Sequence, residues 1–279
     1  MSFKTILVHV DNTKRCDTRI DLALRLADEF AAHLTGLYVS QMPQIYAFPG
    51  NGGVESYMSL LLEEEEVNKN TAAKRFLDRT RRAGLAGAEW RNVEGLVEAM
   101  TALHARYADL VIVGQTDPDD NSPPRALDFP AALTLSVARP VLVVPYAGQP
   151  SGAGENVLVA WNGSAEATRA VSDALPLLMR AKKVTVMAVD PGGGAPQHGE
   201  VPGADLALYL ARHGVTVEVY PQDWSEADVG ECLLSRAADL GTDLIVMGAY
   251  GHQRLREWVL GGVTRTLVRE MTVPVLMSH

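Results

Sequence analysis

Cysteine is scarce: the chain has only Cys16 and Cys232, far apart and without C-x-x-C spacing. That excludes a disulfide framework and a zinc knuckle. It fits a reducing cytoplasm, with both thiols expected to pack within helices. Basic residues are outnumbered, the net charge being −9. No basic stripe is present to displace phosphate counterions, which argues against a nucleic-acid partner. No apolar run approaches the ~20 residues of a membrane span, and no signal-peptide core follows Met1-Ser2-Phe3-Lys4. A soluble, cytoplasmic protein without a membrane partner is therefore expected. Catalytic signatures are missing too. There is no Gly-x-Ser-x-Gly elbow, and no Ser, His and acid fall on one rim. Metal spacing of the His-Glu-x-x-His kind is absent.

What is present suffices for two cores: 279 residues, 47% of them apolar. Lys4 to Asp11 reads as a buried strand with a polar edge, and 17–32 as an amphipathic helix. His33 to Val39 is the next strand, followed by a Pro/Gly loop and a long helix over 55–82. A strand over 88–93, a helix over 95–106 and the strand Asp109–Gly114 come next. A polar loop, a helix to Ala138 and the strand 140–145 complete this half. Gln149 to Gly154 has linker composition, and after it the pattern restarts. Asn156 to Asn162 matches the first strand, with Asn162 where Asp11 stood. Helices over 166–179, 204–212 and 226–240 then alternate with strands over 184–189, 215–220, 243–247 and 273–277.

Register supports a duplication. Asp11 and Asn162 are 151 positions apart, while Gly114 and Gly248, and Pro140 and Pro274, are 134 apart. The difference of 17 falls in the loop and long helix between strands two and three. A repeat of this length predicts tandem domains, 1–147 and 155–279. Strands alternating with helices imply parallel sheets with right-handed crossovers, here two sheets of five strands each. Such sheets bind ligands at the carboxyl ends of their strands. That rim collects Asn162, Val189 and Gly248.

Two glycine pairs also point there. Gly248 and Gly251 close the apolar run Asp243–Met247, and nine residues later Gly261-Gly262-Val263-Thr264 opens the last helix. Glycines let backbone N–H groups approach a ligand, and a helix N-terminus favours an anion. The stretch is neither a Walker A loop nor a G-x-G-x-x-G dinucleotide turn. Spacing alone leaves open a phosphate cradle or a tight strand-to-helix turn.

The pattern G-x2-G-x9-G before a final helix and a Pro-Val-Leu strand, with Asp or Asn after strand one, resembles the universal stress protein family. The likeness covers the whole chain as a tandem and is strongest from Leu244 to Thr264. It implies a Rossmann-like or flavodoxin-like doubly wound α/β fold. It also implies an adenine nucleotide, ATP or a relative with or without Mg²⁺, and pairing through the last strands, as a homodimer or an intramolecular pseudo-dimer. The positions carried over are Asn162, Val189, Gly248, Gly251, Gly261, Gly262, Val263 and Thr264, with His252 inside the loop within reach of phosphate. Departures are visible: Gly262 stands where the family has Ser or Thr, and Asn162 replaces the usual Asp. The first half keeps only Gly114, followed by Gln115, Thr116, Asp117, Pro118, Asp119 and Asp120, with Leu127 and Asp128 at the second glycine pair's register. An acidic loop repels phosphate, so this half reads as a degenerate copy.

Plainer roles are expected elsewhere. Asp11 orders a turn or caps a helix, and His9 and Trp161 pack in the core. Arg254 and Arg256 either neutralise phosphate or face solvent. The resemblance and these residues together imply three functions: a stress-responsive nucleotide binder that regulates partners, a nucleotide-free interaction module, or a slow ATPase. The last is disfavoured because no lysine lies between Gly248 and Thr264. No dedicated enzyme is expected.

Overall fold

The computed structural model describes residues 2–41, 53–85, 87–120, 129–148, 150, 152–188, 203–220, 229–249 and 262–279. The first half runs β1 (Thr5–His9), α1 (Cys16–Phe30), β2 (His33–Ser40), α2 (Gly53–Arg82), β3 (Glu89–Glu94), α3 (Val97–Ala105), β4 (Leu110–Gly114), α4 (Phe129–Ser136) and β5 (Val141–Val144). The second runs β6 (Asn156–Trp161), α5 (Ala165–Leu178), β7 (Lys183–Ala188), α6 (Ala204–Arg212), β8 (Val217–Tyr220), α7 (Val229–Asp239), β9 (Leu244–Gly248), α8 (Gly262–Glu270) and β10 (Val275–Ser278).

Central strands buried on both faces read as continuous Val/Ile/Leu runs, because alternate side chains enter different cores. Ile6, Val8 and Ile112 join a cluster with α1, α2, α5 and α6 residues such as Ile20, Phe76, Ala170 and Leu210. Leu7, Val111 and Val113 join the other, with Ala105, Leu133, Leu233 and Leu267 from α3, α4, α7 and α8. Among the described residues the helices thus divide four and four over the sheet, as a doubly wound fold requires.

The expectation of two separate sheets needs one amendment. There is a single ten-stranded sheet, ordered β3-β2-β1-β4-β5-β10-β9-β6-β7-β8. Each half contributes five parallel strands, and the halves meet where β5 pairs antiparallel with β10, Leu142 opposite Leu276. An unpaired Val-rich strand would leave a sticky edge in each half, and pairing removes both edges at once. The remaining edges, β3 and β8, carry charged residues such as Glu89, Arg91 and Glu218.

A side chain also crosses this seam. Gln115, just after β4 and 7% exposed, donates from Nε2 to the Val268 and Arg269 carbonyls at the end of α8, both at 2.9 Å. Its Oε1 accepts the Tyr146 N–H at 2.9 Å. Helix C-termini leave carbonyls without intrahelical partners, so an amide from the first half completes a helix of the second. Gln115→Leu is expected to lower stability by about 1–3 kcal/mol through those unsatisfied groups. Urea unfolding followed by circular dichroism would measure it; an unchanged midpoint would show the contact to be energetically idle.

Candidate functional site

Within the second half β6, β7, β9 and β10 are parallel, so their carboxyl ends share one rim. Helices α5 and α8 return from that rim and begin there. Asn162 follows β6 and accepts the Ser164 N–H through Oδ1 at 3.1 Å, an Asx turn. Ser164 then caps α5, its hydroxyl accepting the Ala167 N–H at 3.1 Å. The Asn162 Nδ2 amide has no hydrogen-bond partner among the described residues and can donate outward.

Gly248 ends β9, and its bare face is covered by protein. A Cβ there would lie 2.4 Å from the Ala167 nitrogen and 2.6 Å from the Glu166 carbonyl carbon. The glycine thus lets α5 pack its first turn against the strand. The sequence argument had assigned that close approach to a ligand. Glu166, in that same first turn and 4% exposed, is a buried carboxylate that sequence reasoning missed.

Gly262 differs in kind. It is exposed at the start of α8, and none of the described residues lies within 4 Å of a Cβ built there. Val263 is half-buried against the second core, and Thr264 is 4% exposed. Of the three, Gly262 offers the open backbone. Val189, Gly251, His252 and Gly261, together with Arg254 and Arg256, lie outside the described residues.

The matching rim of the first half is filled differently. Asp11 makes the same Asx turn, its Oδ1 accepting the Thr13 N–H at 2.9 Å. Its other oxygen lies 2.7 Å from Arg19 Nη2, an ion pair between side chains 7% and 2% exposed, with His9 Nδ1 at 3.6 Å. Burial disfavours the Arg19 charge, but the Asp11 carboxylate outweighs it and holds the guanidinium pKa above its ordinary value. Burial likewise pushes the neighbouring Cys16 thiol up. The guanidinium lies over Gly114, where a Cβ would come 2.1 Å from Nη1. A small cleft remains beside it, lined by Thr13, Arg15, Gln115, Asp117 and Asp120. Asp11 therefore orders a turn as expected, and His9 is a core residue, its ring centroid 5.3 Å from that of Phe129. Arg19 was missed, although it stands three residues after Cys16 and four before Ala23, on the apolar stripe of α1.

Among the described residues no cluster of His, Cys, Asp and Glu could hold a metal ion, and no helix is long and apolar enough to cross a membrane.

Known proteins resemble this chain at two levels. Residues 154–279 match the universal stress protein family. A universal stress protein of Synechocystis is 39% identical over 46 residues, 16% of this chain and 16% of that relative's length. Over nearly the whole length, the fold is similar to that of a universal stress protein from Archaeoglobus fulgidus. There the TM-score is 0.67 and the identity 15%, with 98% of this chain and 97% of that one covered. A functionally unknown protein from Pseudomonas aeruginosa gives a TM-score of 0.59 at 15% identity, covering 99% of this chain and 92% of the other. At such identities the two structures speak for the fold alone.

Proposed function

We propose that the second half, which matches the universal stress protein family over residues 154–279, binds an adenine nucleotide, ATP or a relative, and that occupancy alters association with protein partners. We further read the chain as two domains, 1–147 and 155–279, joined as an intramolecular pseudo-dimer. The mirrored strand orders about the β5–β10 pair support that division.

The observation that carries the nucleotide reading is the open first turn of α8. Gly262 lies at a helix N-terminus with no described residue within 4 Å of its missing Cβ, on the rim that also holds Asn162. N–H groups there have no intrahelical partners and sit at the positive end of the helix dipole, so they suit a phosphate. Asn162 Nδ2 would serve the adenosine end as a neutral donor, and Val189, Gly251 and Gly261 would complete the walls. A ligand that favours one arrangement of these segments stabilises it by linkage and thereby changes the exposed surface. No lysine lies between Gly248 and Thr264 to serve phosphoryl transfer, so binding, not turnover, is the proposed role.

Two tests follow. Denaturing the purified protein and identifying released nucleotide by mass spectrometry, then titrating ATP, ADP and AMP by calorimetry, asks whether binding occurs. No released nucleotide and no heat at millimolar ligand would sink the reading. Gly262→Ser asks about geometry: it meets no steric obstacle and restores the family's hydroxyl beside the phosphates. A hydrogen bond to a charged group contributes about 1.5–3 kcal/mol, so ATP affinity should rise about tenfold or more. Tightening of adenosine and ATP alike would place the gain elsewhere.

A second reading, a nucleotide-free interaction module, draws on the covered face of Gly248 and the buried Glu166 carboxylate. The first titration decides between the two.

A further inference from the structure

The insertion that distinguishes the first half forms much of α2, a helix of 30 residues and hence about 45 Å long. Its inner face is anchored. Ala72, Phe76 and Thr80 are buried, and Arg75 and Arg79 pair with Asp17 of α1 at 3.2 and 2.8 Å. The outer face is not. Tyr57, Leu60 and Val67 are 56%, 62% and 59% exposed, and at helical spacing they form one stripe with Glu64, Thr71 and Lys74. Charge is segregated along the same helix. Glu63 to Glu66 lie toward its start, and Lys74, Arg81 and Arg82 are exposed toward its end. Neither Glu64 nor Lys74 has an ion-pair partner among the described residues.

We propose that the outer stripe of α2 is a homodimer interface in which two copies of the helix pack antiparallel. The antiparallel sense follows from charge. It sets each acidic segment against the partner's basic one, and it is self-complementary, as a two-fold contact must be. When Val67 of one copy faces Thr71 of the other, Glu64 falls opposite Lys74 and Tyr57 opposite Arg81. Val67 then lies against the partner's Thr71 between the two charge pairs, and Leu60 and Tyr57 lie against the partner's Asp78–Arg81 ion pair, while a parallel arrangement would oppose glutamate to glutamate. A second copy cannot use the strand edge expected from the family resemblance, because β5 and β10 already pair within one chain.

Sedimentation velocity from about 1 µM to 1 mM measures the association directly. The wild type should dimerise, and more weakly as salt is raised, since exposed charge pairs are screened. Glu64→Lys and Lys74→Glu each create like-charge contacts and should weaken self-association about tenfold or more. Both positions are exposed, so melting temperatures should stay close to wild type. Mixing the two single variants restores complementarity across the contact and should recover a heterodimer that neither forms alone. The double variant should recover the homodimer. A wild type that stays monomeric throughout the range overturns the proposal, as does a dimer indifferent to both single changes or a mixture that fails to associate.

Discussion

Arg19→Ala is expected to destabilise the protein by about 3–5 kcal/mol, because it strands the Asp11 carboxylate in a buried site. Asp11 is 5% exposed, and its Arg19 partner lies at 2.7 Å. Losing that partner removes the attraction but leaves the cost of desolvating the carboxylate. The second half shows how the same place is occupied without charge. Asn162 stands 151 positions after Asp11, and Ala170, fully buried, stands 151 after Arg19. Asn keeps the Asx turn that both halves use. Asp11→Asn combined with Arg19→Ala should therefore be more stable than Arg19→Ala alone, the residual loss reflecting the cavity left by the long side chain. Urea unfolding of the wild type, both single variants and the double variant closes the cycle. Additive losses would show that the pair is not coupled.

Element order was legible in the sequence because it rests on local signals. Apolar runs such as Leu110–Val113 and helical stripes such as Ile20, Ala23 and Ala27 carry their periods with them. The joining of the two sheets was not legible from period. The Val-rich strands 141–144 and 275–278 need a partner on their free edge, yet nothing local says whether it comes from the same chain or another. Asn162 and Gly262 could be placed on the rim from the strand order expected of a doubly wound half. Arg19 escaped because a charged residue inside an apolar stripe is legible as an ion-pair member only once its partner is known. Asp11 is near in sequence but lies on a different element. Gly248 was found for a reason that the packing redirects: a missing Cβ signals close approach, and the sequence cannot say whether a ligand or a helix makes it.

Gly248→Ala is the second large effect, and it separates those two meanings. The added methyl would meet the Ala167 nitrogen at 2.4 Å and the Ala167 Cα at 2.9 Å. These are backbone atoms of a helix that buries Ala167, Ala170, Val171 and Ala174 against the sheet. No rotamer change relieves the contact, so α5 must shift as a body or β9 must bend. Overpacking in a close-packed interior costs about 1–3 kcal/mol when side chains can yield, and more when they cannot. A loss of about 3 kcal/mol or more is expected in urea unfolding, with or without nucleotide present. Gly262→Ala is the matched control, since its methyl enters open space at the first turn of α8 and a helical Gly→Ala change is favourable by up to about 1 kcal/mol. The two variants should thus move stability in opposite directions. Gly248→Ala with unchanged stability but abolished ATP binding would return the glycine to the ligand and show that α5 does not hold it.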